Sequence, residues 1–301
     1  MHKKVKFGVF VSNWEPFSYN PEIYERVALE AEELGYDFYL LSNHFTRPGI
    51  GTNQPLPAKN HTTLDTWSLL PYLAAKTRRI KLGACVTPIT IYNPFLLAKM
   101  ASTVDVLSRG RLIFGAGAGY EKREFEIYGK WEEAPVRVKK FEESLRLMKK
   151  LWSEENVNFE GRYYNATDVP NEPKPVLRGS LPIWIGAMSS VMLKITARIG
   201  DVWIPSLPLG ATLEFYEKSS KLLARYSREA NRQVGYGLVA HVVKEGVNLP
   251  FQTLGTMETC RTKLEQYVSS GLEYLATVFL PVDSSLELVR KFAHEIVPSF
   301  S

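Results

Sequence analysis

Cysteine is scarce in this chain: Cys85 and Cys260 are the only two among 301 residues. Two are too few for a disulfide framework, and neither has a second Cys or a His at metal-ligand spacing. A reducing, cytoplasmic setting is the expectation, with no metal. No apolar run approaches the ~20 residues of a membrane span. The basic first six residues lead into an apolar run that Ser12, Asn13 and Glu15 interrupt, and no small-residue cleavage site follows, so a secretion signal is not expected. Blocks of like charge are missing as well. The 37 Lys and Arg exceed the 32 Asp and Glu by a net +5, with a pI near 9.0, yet the cations are scattered along helical segments. That pattern lacks the basic, aromatic face of a nucleic-acid binder. It is compatible with a small acidic ligand bearing a phosphate.

What is present is an ordinary globular composition, 45% hydrophobic and 23% charged, arranged in one rhythm. "KVKFGVFV" reads as a buried strand and "PEIYERVALEAEELG" as an amphipathic helix closed by Gly35. "YDFYLLSNHF" is a second strand, followed by a loop rich in Gly, Pro and Asn and by the helix "TLDTWSLLPYLAAKT". "IKLGACVTPI" precedes a helix that Pro94 opens, and "RLIFGAGAG" precedes the long helix "APVRVKKFEESLRLMKKLW". Residues 156–180 break the rhythm with a hairpin-like alternation and a proline-rich connection, and read as an insertion. Strand and helix then alternate to the end of the chain. About eight such units over 301 residues, with no two-half repeat, predict a (β/α)8 barrel rather than an open doubly wound sheet. Residues 1–301 are expected to form a single domain around it.

In a barrel of this type function sits at the C-terminal ends of the strands. Those ends bring Asn43, His44, Thr87, Glu121, Ser189 and Ser190 to one face. His44 opens a loop at a strand end and can donate, accept or carry a proton; a structural histidine satisfied by its neighbours is the alternative. His241 lies inside a strand pattern and reads as structural. "GAMSS", residues 186–190, runs into a helix, so its backbone N–H groups suit a phosphate, although a plain N-cap by Ser189 or Ser190 explains the same residues. The glycines of "GAGAG", residues 115–119, imitate a dinucleotide fingerprint, but more than a hundred residues precede them, where such a fingerprint follows a first strand.

The strand-end stretches resemble those of the bacterial-luciferase-like flavin and deazaflavin oxidoreductases, a (β/α)8 superfamily. The likeness is strongest to the branch dependent on coenzyme F420, which includes methylenetetrahydromethanopterin reductases and F420-dependent dehydrogenases. "SNHF" resembles that family's "SDHF", "GACVTPITIYNP" resembles the third-strand segment of the dehydrogenases, and "PIWIGAMSSVMLKITARIGD" resembles the reductases' phosphate-binding stretch. The resemblance implies a luciferase-like TIM barrel that binds F420 through Asn43, His44, Ala84, Cys85, Thr87, Gly117, Ala118, Gly119, Gly186, Ala187, Met188 and Ser189. It implies that the "GAGAG" glycines let the backbone approach the cofactor ring, and that a non-proline cis peptide falls at Ala84–Cys85.

His44 is then the candidate for moving a proton beside the reactive carbon of the cofactor, with Glu121 and Tyr120 behind it. Glu15 stands near an acid of the reductases; a solvated loop carboxylate is its other reading. The chain departs from the reductases' "GPGD", having "GAGY", and carries Tyr120 where some dehydrogenases have an acid. The expected reaction is hydride transfer between F420 and a small organic substrate, with a pterin-linked one-carbon unit as one candidate. Alternatives are an FMN-dependent monooxygenase using FMNH2 and oxygen, and a non-catalytic barrel that only holds a flavin or deazaflavin. Relatives are commonly dimers, so a homodimer or higher homo-oligomer is implied. The loops expected to define the substrate are roughly residues 45–63, 156–180 and 205–211.

Overall fold

The computed structural model describes residues 4–12, 20–46, 63–177, 181–280 and 285–300. Eight strand positions close into a parallel barrel: β1 (Lys6–Val11), β2 (Phe38–Leu41), β3 (Lys81–Ala84) continued by β4 (Thr87–Pro88), β5 (Leu112–Gly117), β8 (Ile183–Ile185), β9 (Val202–Trp203), β10 (Gly235–Val243) and β11 (Tyr274–Leu280). Hydrogen bonding runs β3-β2-β1-β11-β10-β9-β8-β5, and pairing of β3 with β5 closes the ring. The expected (β/α)8 barrel is the observed architecture. Between β5 and β8, β6 (Asn156–Glu160) and β7 (Asn165–Pro170) pair antiparallel as the expected hairpin insertion.

Helices α1 (Pro21–Glu33), α2 (Thr66–Lys76), α3 (Pro94–Leu107), α5 (Ala134–Ser153), α6 (Ser190–Ile199), α7 (Leu213–Glu229), α8 (Met257–Ser269) and α9 (Ser285–Glu295) surround the barrel. Local chemistry sets their ends. Asn93 caps α3 by accepting from the N–H groups of Phe95 and Leu96, with Pro94 preset for the first turn, and Gly35 takes the left-handed conformation after α1 at φ +80°. One further short helix, α4 (Lys122–Tyr128), follows the glycines directly.

Strand alternation separates two apolar layers. Val9, Leu112, Phe114, Leu238, Ala240 and Leu275 face the helices, whereas Phe10, Phe38, Leu40, Ile113, Trp184, Val239 and Val278 fill the barrel. Each large side chain so buried contributes roughly 1.5–3 kcal/mol. The same alternation puts His241, two residues after Val239, on the inward side at the barrel mouth.

The third strand corrects one expectation. The non-proline cis peptide lies at Cys85–Val86, one bond later than Ala84–Cys85. The ladder explains the position: Ala84 still pairs with Leu41 of β2, and the N–H of Cys85 donates to the Leu41 carbonyl at 2.7 Å. Regular pairing therefore runs through Cys85, and the chain leaves it only afterwards.

Candidate active site

The C-terminal strand ends surround a cavity of about 760 Å³, within the usual range for small-molecule sites. His44, just past β2, stands at its edge with a side chain 14% exposed. Both carboxylate oxygens of Glu124, on α4, lie 3.2 Å from His44 Nδ1. One of them also accepts from the backbone N–H groups of Phe45 at 2.8 Å and Thr46 at 3.0 Å. A carboxylate engaged as acceptor calls for a hydrogen on Nδ1, so neutral His44 presents Nε2 as its basic nitrogen. Tyr120 meets that nitrogen, its hydroxyl 3.4 Å away and its ring edge-on at 5.7 Å. Burial, with the charges of Glu121 and Glu124 added, pushes the Tyr120 pKa above its ordinary value, so the group stays a phenol at neutral pH. Asn43, almost fully buried, donates from Nδ2 to the Tyr92 hydroxyl at 3.2 Å.

The next wall is the bulge between β3 and β4. Cys85 and Val86 line the cavity, and burial pushes the Cys85 thiol up to about 12, which leaves it inert as a nucleophile at neutral pH. The glycines prove to serve this bulge. A Cβ on Gly115 would fall 1.8 Å from the Ala84 carbonyl oxygen, and one on Gly117 would fall 2.6 Å from Val86 Cγ2. Gly119, at φ +75°, lies under the Phe125 ring. The clearance expected for a cofactor ring is thus taken first by strand three and by α4.

Across the cavity, Gly186, Ala187, Met188 and Ser189 lead from β8 into α6. Trp203 Nε1 donates to the Ala187 carbonyl at 2.8 Å and fixes the approach. Ser189 is the N-cap, its side chain accepting from Met192 N–H at 3.3 Å. The cap leaves the first N–H groups of the helix, at Ser190 and Val191, without an intrahelical acceptor. Arg137 of α5 lines the same side; its guanidinium lies over the Trp131 ring at 4.0 Å, and its Nε has no partner.

A model of the luciferase-like monooxygenase family matches residues 5–245. The chain belongs to that family. Among curated proteins it is 34% identical over 205 residues to an F420-dependent glucose-6-phosphate dehydrogenase of Kineococcus radiotolerans, covering 68% of this chain and 57% of the relative. To the protein of the same description from Amycolatopsis mediterranei it is 33% identical over 190 residues, 62% of this chain and 54% of that one. The chain thus spans a little over half the length of these curated relatives. An F420-dependent secondary alcohol dehydrogenase in complex with an F420-acetone adduct has the same fold, with a TM-score of 0.82, 20% identity and 99% of each chain covered.

The cavity of this family member brings together Asn43, His44, Cys85, Gly117, Ala118, Gly119, Glu121, Gly186, Ala187, Met188 and Ser189. It does not include Ala84 or Thr87. Both are buried, Thr87 with its hydroxyl unpartnered, because the chain turns only Cys85, Val86 and Pro88 of this segment inward. Glu15 lies outside the described residues. Glu121 lines the cavity at the start of α4, but the carboxylate on His44 is Glu124, one helical turn on. Sequence reasoning missed Glu124, Arg137 and the inward face of His241. An acid three residues after Glu121 was the available signal for the first. Among the described residues no three potential ligands gather for a metal, and no helix is long and apolar enough to cross a membrane.

Proposed function

We propose that this chain is an F420-dependent oxidoreductase, passing a hydride between the deazaflavin and a small organic substrate. The observation that carries the reading is His44, oriented by the buried Glu124 carboxylate, facing the N-terminus of α6 across one cavity. F420-dependent relatives at 33–34% identity support it.

The residues fit the group. The N-terminal turn of α6, reached through Gly186, Ala187, Met188 and Ser189, offers oriented N–H groups and the positive end of a helix dipole to a phosphate. Arg137 adds a cation with a nitrogen to spare. Asn43, Cys85, Val86, Gly117, Ala118 and Gly119 offer the largely apolar surface that a flat ring needs. When bound, F420 supplies the hydride chemistry. The work of the chain is to bury that surface from water, to hold the substrate, and to move a proton at His44 Nε2, with Glu124 fixing the tautomer and the Tyr120 hydroxyl beside that nitrogen.

Titration of the purified protein with F420 and with FMN, followed by fluorescence quenching, tests this. F420 should bind at least about tenfold more tightly, a gap of about 1.4 kcal/mol. Tighter binding of FMN, or oxygen consumption coupled to FMNH2, would replace the proposal with a monooxygenase.

A further inference from the structure

The barrel mouth has a second wall that the cofactor reading leaves unused. β10 and β11 run side by side in register, His241 opposite Val278. Val239 and Val278 face inward below, with Leu280, Leu249 and Phe251 around the mouth. His241 sits in this apolar surface with its ring edge-on to Phe251 at 5.0 Å and its Nδ1 buried without any hydrogen-bond partner. A buried polar nitrogen left unpaired is costly, so the position calls for a partner from outside the chain. Burial lowers its pKa to about 4, which keeps the imidazole neutral at physiological pH, able to offer one donor and one acceptor.

Charge is arranged to the same end. Among the described residues lining the cavity, Glu121, Glu124 and Arg137 all belong to α4, α5 and the segment before α4, on the β5 side. Among the described residues the His241 wall holds none. A phosphate or carboxylate placed there would lose its water and meet, among the described residues, hydrocarbon, a neutral ring and the hydroxyls of Ser206 and Ser285, with no cation. The family model covers residues 5–245, and with them β10 and His241, and stops before Leu249, Phe251 and β11.

We propose that the β10–β11 wall is the substrate face, that it takes an uncharged molecule with an apolar body and one hydroxyl or carbonyl oxygen, and that His241 hydrogen-bonds that oxygen. Placing this wall opposite a deazaflavin rests on the proposed function; binding of such a molecule at His241 does not. His241 acts here in recognition, and no bond is made or broken at it.

The test uses the full chain with 15N-labelled histidine, with and without F420, and four probes: acetophenone, 1-phenylethanol, ethylbenzene as the same body without oxygen, and glucose 6-phosphate. The two oxygen-bearing probes should shift the ring-nitrogen resonances of His241, identified by their loss in His241→Phe, and should bind at least about tenfold more tightly than ethylbenzene. In His241→Phe that preference should fall to near unity while affinity for F420 is unchanged; His241→Gln should keep part of it. If His241→Phe does not fold, the wild-type resonances and the Gln variant decide. Unmoved His241 resonances, an unchanged preference in either variant, or tighter binding of glucose 6-phosphate than of acetophenone would overturn the proposal. Loss of F420 binding with the oxygen preference intact would overturn the cofactor reading alone.

Discussion

The two walls of the cavity are built on opposite principles. Around His44, on the β2–β5 side, polar groups are spent on each other: Glu124 is committed to His44, Phe45 and Thr46, and Asn43 to Tyr92, while Arg137 farther along keeps an open Nε. On the β10–β11 side, among the described residues, the Nδ1 of His241 is committed to nothing. A group already held in place needs no reorganisation when charge moves past it, which suits proton transfer. A group left unpaired gains most when a ligand arrives, which suits recognition. The contrast predicts that changes on the first wall act on rate and changes on the second act on substrate choice.

The largest expected effect tests the first half of that statement. His44→Ala should lower the rate of hydride transfer by roughly 10² to 10⁴, the usual worth of a positioned proton carrier, with F420 affinity far less affected. Glu124→Gln leaves the imidazole in place but removes the charge that selects its tautomer, and should cost about 10- to 100-fold. Stopped-flow measurement of F420 reduction separates both from binding. An unchanged rate with weaker cofactor binding would make His44 a contact and dissolve the difference between the walls.

Acid stability probes the second wall. His241 has a pKa near 4 in the folded chain against 6.5 when unfolded, so between these values the unfolded state binds the extra proton. Stability contributed by the neutral ring is complete above about pH 6.5 and falls as the pH drops toward 4, by at most about 3 kcal/mol. The ring is partly open to the cavity, which reduces that figure. Urea melts at pH 7 and pH 4.5 should differ less in His241→Phe than in the parent chain. Equal pH dependence in both would mean that His241 titrates freely and that its wall is wet.

Much of the fold was legible in the sequence, because a barrel repeats one local pattern and each unit carries its own periodicity and caps. Pro94 and Gly35 mark boundaries that the structure keeps, and the hairpin expected after the long helix is found at residues 156–170. The strand-end rule then brings most of the named residues to one cavity. What escaped depends on long-range placement. Glu124 reaches His44 across 80 residues of chain, through a short helix that no strong amphipathic stripe announces. His241 looks internal in "VAHVVKE", since only closure of the barrel says which alternate face is the mouth. The break after Cys85, like the clearance at Gly115, follows from the register between β2, β3 and β5, which one strand alone does not reveal.

The glycines give a smaller effect with a clear direction. Gly115→Ala drives a Cβ against the Ala84 carbonyl at 1.8 Å, backbone against backbone, and should destabilise the chain by roughly 1–3 kcal/mol. Gly237→Ala, on β10, meets the Trp203 carbonyl at 3.0 Å and should cost less. Thermal melts order the two. The reverse order would mean that the β3–β5 wall can yield, and that its closeness is not what fixes the Cys85–Val86 bulge.

The smallest effect separates two roles of one residue. Ser189 caps α6 through Met192 N–H, and Ser189→Ala should cost about 1 kcal/mol of stability, the ordinary worth of an N-cap. Ser189→Asp preserves the cap and adds a negative charge at the positive end of the helix, so folded stability should stay level or rise slightly. If the same turn receives the phosphate of F420, that charge now repels it. Affinity for F420 should fall, while affinity for the dephosphorylated deazaflavin core stays nearly constant. The Asp variant thus keeps its stability while losing affinity for the phosphate-bearing ligand alone, something a purely structural cap cannot produce. Equal losses for both ligands would take the phosphate away from α6 and leave Arg137, with its unpartnered Nε, as the group to change next.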